Sequence, residues 1–163
     1  AYPRDAFAQS LRQVAALVAS GLPTRVYYVS LGGFDTHARQ ADAHARLLQT
    51  LSEGLAAFQA DLTAKRLDGQ VLTATFSEFG RRPAENESAG TDHGTAAPLF
   101  LMGGTVRGGI VGEGPRLSGL TKRDDLDHST DFRQVYATLL SGWMRTDPAP
   151  VLGGSYRPLP LLG

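Results

Sequence analysis

Arg25-Val-Tyr-Tyr-Val-Ser-Leu31 and Val71-Leu-Thr-Ala-Thr-Phe76 are the stretches on which the fold class turns. Both are short runs rich in β-branched and aromatic residues. Pro23 and Gly32 bound the first and Gly69 precedes the second, so each reads as a strand. Between them, from about Arg39 to Lys65, Leu48, Leu51, Leu55, Phe58 and Leu62 recur at alternating steps of three and four. That spacing puts them on one face of a long helix. Lys65 and Arg66 complement its C-terminus and Gly69 ends the segment. Strand, helix, strand is a βαβ crossover, which favours a parallel pair with a right-handed connection. Ala97 to Met102 is a third apolar run, closed by Gly103 and Gly104. The expectation is an α/β fold: a mainly parallel sheet of at least three strands, centred on residues 25–31, 71–76 and 97–102. Helices 39–66 and 130–145 would sandwich it.

Outward from this unit, Phe7, Leu11, Val14 and Val18 give Asp5 to Ser20 a helical period, stopped by Gly21 and Pro23. Residues 103–128 are dense in Gly and Pro and read as loops, with a short hairpin around Ile110-Val111. Ser129-Thr130-Asp131 is an N-cap cluster opening a helix with Phe132, Val135, Tyr136, Leu139, Leu140 and Trp143 inward. The tail from Asp147 holds four prolines and reads as extended. One domain spans residues 1–163. Residue 1 is Ala and the first Met is Met102, so the chain is expected to be part of a longer protein.

Composition removes several function classes. Hydrophobic residues make up 42% of the 163, enough for a core. Sixteen basic residues balance sixteen acidic ones, at a pI near 7.1. That balance argues against a nucleic-acid partner, which needs a clustered basic excess. The absence of cysteine excludes disulfides, thiolate metal sites and a Cys nucleophile. No apolar run is long enough for a membrane span.

Three polar clusters flank the expected strands: Asp35 and His37 after the first, Glu78 and Arg81 after the second, Asp92 and His93 before the third. In an open parallel sheet, ligands bind beyond the carboxyl ends of the strands. The third cluster reaches that edge if the loop 77–95 folds back over it. Asp and His together suit borderline divalent ions such as Zn²⁺ or Mn²⁺. Asp35-x-His37 places both side chains on one face of an extended backbone. Two Asp, two His and Glu78 suffice for one well-held ion or a thin two-metal site. Plainer readings stand beside these. Asp35 with Thr36 would cap the long helix, His93 would be a hydrogen-bonded turn histidine, and Glu78 with Arg81 a surface ion pair. His44 falls on a polar helix face, and His128 before the last helix.

Leu31-Gly-Gly-Phe-Asp-Thr-His37, Ser77-Glu-Phe-Gly-Arg81 and Gly90-Thr-Asp-His-Gly94, in that order, resemble the DUF1501 family of bacterial exported proteins of unknown function. Ser129-Thr-Asp-Phe-Arg133 and Leu152-Gly-Gly154 fit its C-terminal pattern. The resemblance implies an alkaline phosphatase-like and sulfatase-like fold, of which this chain would be the C-terminal part. It implies a full-length protein about twice as long, exported by a twin-arginine signal to the periplasm or beyond. On it, Asp35, His37, Asp92 and His93 are the expected metal ligands, and His128 is the one candidate by position for a further late histidine. The implied activity is metal-dependent hydrolysis of a small anionic ester, phosphate or sulfate. Arg81 would pair with the tetrahedral anion, and Glu78 would be a further ligand or would orient Arg81. The nucleophile would lie in the missing half or be a metal-activated hydroxide. The alternative is an exported binding or structural module without turnover. An exposed sheet edge or face would invite a second copy, making a homo-oligomer.

Overall fold

The computed structural model describes residues 1–121 and 123–163. Its main core lies between two helices, α1 (Ala6–Ala19) and α2 (Gln40–Ala64). The Asp5 side chain starts α1 by accepting from the Ala8 N–H at 2.9 Å, which satisfies a helix donor that has no intrahelical partner. Phe7, Leu11 and Ala15 of α1 close on Leu55, Phe58 and Leu62 of α2. The 3.6-residue periodicity of both helices is realised there, though Leu48 at the top of the α2 stripe stays largely exposed. Val29, Leu31, Val71 and Met102 lie partly buried against the same cluster.

The sheet departs from expectation. Four short strands form two antiparallel pairs: β1 (Thr73–Ala74) with β4 (Leu101–Met102), and β2 (Gly80–Arg81) with β3 (His93–Gly94). Together they are two rungs of one interrupted ribbon that runs out from the core and returns. Eight residues from Thr73 to Gly80 face nine from Met102 back to Gly94, the count left by one extra residue on the returning arm. The mainly parallel, alkaline phosphatase-like sandwich expected from the sequence is therefore not the fold. The connection between the second and third apolar runs is a reversal without a crossover helix, and only antiparallel strands join that way.

Residues 25–31 fail as a strand for a different reason. Tyr27, Val29 and Leu31 turn inward while Val26, Tyr28 and Ser30 turn out, the alternation of an extended half-buried segment. Among the described residues, however, its backbone joins no ladder. Its β-rich composition reflects docking of alternate side chains on the helices, which is most of what β-propensity measures. Outside, Tyr28 and Phe76 stand 6.0 Å apart, 73% and 59% exposed.

A smaller core forms at the C-terminal end. Asp131 caps α3 (Phe132–Thr138), accepting from the Arg133 N–H at 2.9 Å. A single π-helical stretch, Leu139–Trp143, continues it. Val135, Ala137, Thr138 and Leu161 are buried there, but Phe132 points out at 57% exposure. Thr138 Oγ1 ties the tail in by accepting from the Leu159 N–H at 2.8 Å. The tail is not wholly extended, since Ala149–Leu152 forms a helical turn, α4. The loop reading of 103–128 holds for the described residues, with Lys122 outside them, save for an isolated bridge from Val106 to Leu162. No hairpin forms at Ile110-Val111, and Ile110 is 96% exposed. Among the described residues no helix is long and apolar enough to cross a membrane.

Candidate metal centre

The segment after Leu31 runs past the tip of the ribbon, and two contacts lock it there. Gly90 lies so close to residue 37 that an added Cβ would sit 2.3 Å from the His37 carbonyl oxygen. The tip also caps α2: Arg39 N–H donates to Ser88 O at 2.8 Å and Gln40 N–H to Ala89 O at 2.9 Å. Arg39, in the left-handed region at φ 42°, provides no side-chain cap. The helix start is thus satisfied by loop carbonyls, and Asp35 with Thr36 does not cap it. That leaves the Asp35 carboxylate free for other partners.

Its partners are two imidazoles. His93 Nε2 lies 2.7 Å and His37 Nε2 3.0 Å from the same oxygen, Asp35 Oδ1. These hydrogen bonds, that of His93 first, outweigh desolvation and hold the Asp35 carboxyl below its ordinary range. Asp35, His37 and His93 each offer one ligand atom, and the three atoms lie within 4.8 Å of one another. All three residues are exposed. The folding back of the ribbon brings His93 in, as the sequence reading required, although through an antiparallel arm.

Asp92 stands beside this group rather than within it. Its Oδ1 is 3.7 Å from the other ring nitrogen of His37, Nδ1. Asn86 Nδ2 donates to Asp92 Oδ1 at 3.1 Å and to the His37 carbonyl at 3.0 Å. The hydrogen bond from Asn86, aided by the charges of His37 and Arg82, keeps the Asp92 carboxyl ionised below its usual range. Asn86 Oδ1 in turn accepts from the Ser88 and Gly90 N–H groups, both at 3.0 Å. This one amide shapes the tip and holds it to the site. Sequence reasoning passed over it within a polar loop. The local signal was an Asn four residues before a Gly, a residue that readily closes turns with its side chain.

Arg81 does not face an open anion site. Its guanidinium donates to the Phe34 carbonyl at 2.5 Å and to the Thr91 carbonyl, strapping both sides of the centre together. Glu78 is exposed, and among the described residues it makes neither a hydrogen bond nor an ion pair with Arg81. His44 packs edge-on to Phe34 at 6.0 Å, and His128 lies on an exposed loop. Neither belongs to the ligand group. Phe79 was also missed: its ring stacks on His93, centroids 3.9 Å apart and planes 9° apart.

The donor set fits a divalent ion. Two imidazoles and one carboxylate are Zn²⁺ or Mn²⁺ ligands, and three protein ligands leave positions open for a small molecule. The arrangement suits one ion rather than two.

A family model described as "Protein of unknown function (DUF1501)" matches residues 3–151. No curated protein and no solved structure matches the chain.

Proposed function

The chain belongs to the DUF1501 family, and from that premise we propose that it binds one divalent cation, Zn²⁺ or Mn²⁺, through Asp35, His37 and His93 and hydrolyses a small anionic ester, phosphate or sulfate, at that centre. The observation that carries the proposal is the meeting of three ligand atoms, from two separate stretches of chain, within 4.8 Å on an open surface. An ion held there would act as a Lewis acid on an ester oxygen. The chain's own residues do the rest. Asp35 supplies a carboxylate already ionised. His37 presents Nε2 while its Nδ1 faces Asp92, a pairing that orients a liganding imidazole. Asp92, expected among the ligands, acts in this reading as the partner of His37. Arg81 holds the loops instead of the substrate.

Metal analysis of the purified chain, with melts in chelator and in added Zn²⁺ or Mn²⁺, tests binding. A bound ion raises the melting temperature with concentration. His93→Ala should abolish that rise, and should lower the metal-free stability by only about 1 kcal/mol for the lost hydrogen bond to Asp35. Hydrolysis is then assayed on aryl phosphate, phosphodiester and sulfate esters with the metal-loaded protein. Activity that survives both His93→Ala and Asp35→Asn within about threefold would place the chemistry elsewhere, because even an outer-shell change costs about 10-fold or more.

One observation favours a second reading, a binding or structural module without turnover. Asp35 already satisfies both imidazoles by direct hydrogen bonds, so the cluster holds its loops together with no ion. A melt insensitive to chelator and to added metal would decide for it.

A further inference from the structure

We infer that Phe79 is a positioning residue for the His93 imidazole, fixing the plane in which its Nε2 meets the ion; this rests on the metal reading proposed above. The two histidines of the centre are held differently. His37 has a carboxylate oxygen near each ring nitrogen, Asp35 at 3.0 Å and Asp92 at 3.7 Å. His93 has one in-plane partner, Asp35 at 2.7 Å. A single in-plane contact leaves the ring free to rock about that line, and the last side-chain torsion of histidine is intrinsically broad.

The missing constraint is on the face of the ring. Phe79 covers it at 3.9 Å and 9°, closer and more nearly parallel than the His37 ring at 4.8 Å and 39°, an aromatic contact that resists tilting. The register makes this contact. Arg81 pairs with His93 and Gly80 with Gly94, which sets Phe79 beside the His93 side chain at the end of β2. Phe79 is itself backed by Arg81, whose guanidinium carbon lies 5.2 Å from the ring centre. Arg81 is in turn pinned to the Phe34 and Thr91 carbonyls. The order of support runs from Arg81 to Phe79 to His93. It gives Ser77-Glu-Phe-Gly-Arg81 a role that needs no direct contact with substrate: it holds a ligand.

The stack has a signature independent of metal. In the metal-free full chain, the His93 ring protons should be shifted upfield by the Phe79 ring current, a shift kept in Phe79→Tyr and lost in Phe79→Leu. Zn²⁺ alone, titrated against a chromophoric chelator, is the functional probe. Phe79→Leu should bind Zn²⁺ about 10- to 100-fold more weakly than wild type, and Phe79→Tyr within about threefold of it. Rescue by the second aromatic separates ring positioning from general packing. Unshifted His93 resonances in wild type, or Zn²⁺ affinity in Phe79→Leu within about twofold of wild type, overturn the inference alone. Wild type that takes no Zn²⁺ overturns the metal reading and the inference with it.

Discussion

Around Phe58 and Leu62 the chain holds itself by excluding water; around Asp35 and His93 it holds itself by directed contacts in plain view of water. In the first region the side chains are 2% and 0% exposed and contribute no polar atom. In the second the three residues that could hold an ion are all exposed. There the geometry comes from carbonyls, an Asn amide, an Arg fork and glycines that let backbones touch. A buried core tolerates approximate partners of the right volume. A ligand group does not, since its atoms must converge within a few tenths of an ångström. The molecule thus separates stability from placement, and substitutions in the two regions should fail differently.

The largest effect belongs to the core. Phe58→Ala should destabilise the fold by about 3–5 kcal/mol, roughly 6–20 °C in melting temperature for a chain of this size. Below the new transition, Zn²⁺ affinity should stay close to wild type, because none of the buried core residues belongs to the group of Asp35, His37 and His93. Chemical denaturation with Zn²⁺ titration at low temperature checks both halves. A stability loss under about 1 kcal/mol would mean that the α1–α2 interface is not the main core.

The same division explains what the sequence made legible. The helices were readable because their apolar spacing is a local property: Phe7, Leu11, Leu55, Phe58 and Leu62 needed no knowledge of the rest. Asp35, His37, Asp92 and His93 were readable as one polar group because only a few residue types bind metal and glycines marked the turns beside them; that Asp92 stands beside the other three and not among them was not readable. Strand direction was not readable. Val71 to Phe76 and Ala97 to Met102 present the same apolar run whichever way they pair, and register is decided by contacts far apart in sequence. The two carbonyl partners of Arg81 were not readable for a related reason. A guanidinium that matches an anion also matches two carbonyls, and only the fold determines which it meets.

A sharper test attacks placement with little change in burial. At Gly80 an added Cβ would lie 2.0 Å from the Ala96 carbonyl oxygen, a backbone atom that cannot swing aside. Gly80→Val should therefore part the arms of the ribbon, at about 1–3 kcal/mol, and displace His93. Zn²⁺ binding should fall by more than the stability loss suggests, while helical circular dichroism stays intact. Wild-type Zn²⁺ affinity in this variant would show that the ribbon does not place the ligand.

Arg81→Ala comes next. It leaves the Phe34 and Thr91 carbonyls without their charged donor, a loss of about 1–2 kcal/mol at a half-buried site. Arg81→Lys should recover little, because an ammonium cannot reproduce the planar fork. If lysine restores both stability and Zn²⁺ affinity, charge alone suffices and the strap is not directional.

The smallest effect is acid-dependent and falls outside both regions, where it serves as a control on each. Asp131 caps α3 and also takes three side-chain contacts from Arg133, the shortest at 2.6 Å. Those bonds, then that from the Arg133 backbone, lower its carboxyl from the ordinary value near 3.8 to about 2. A folded-state value below the unfolded one means that the ionised cap stabilises α3 fully above pH 3.8. That contribution declines below 3.8 and is gone once the pH has fallen through about 2. Between those limits, in an Asp61→Asn background that removes the acid-sensitive Lys65–Asp61 pair of α2, the amides of α3 should lose hydrogen-exchange protection while those around Phe58 keep theirs. Asp131→Asn, which still caps but carries no charge, should flatten the acid dependence of α3. Residue-resolved exchange at pH 5, 3 and 2 reads the result. Loss of protection in α2 at the same pH as in α3 would show that cap and core unfold as one unit, and the separation of stability from placement would then fail at its simplest point.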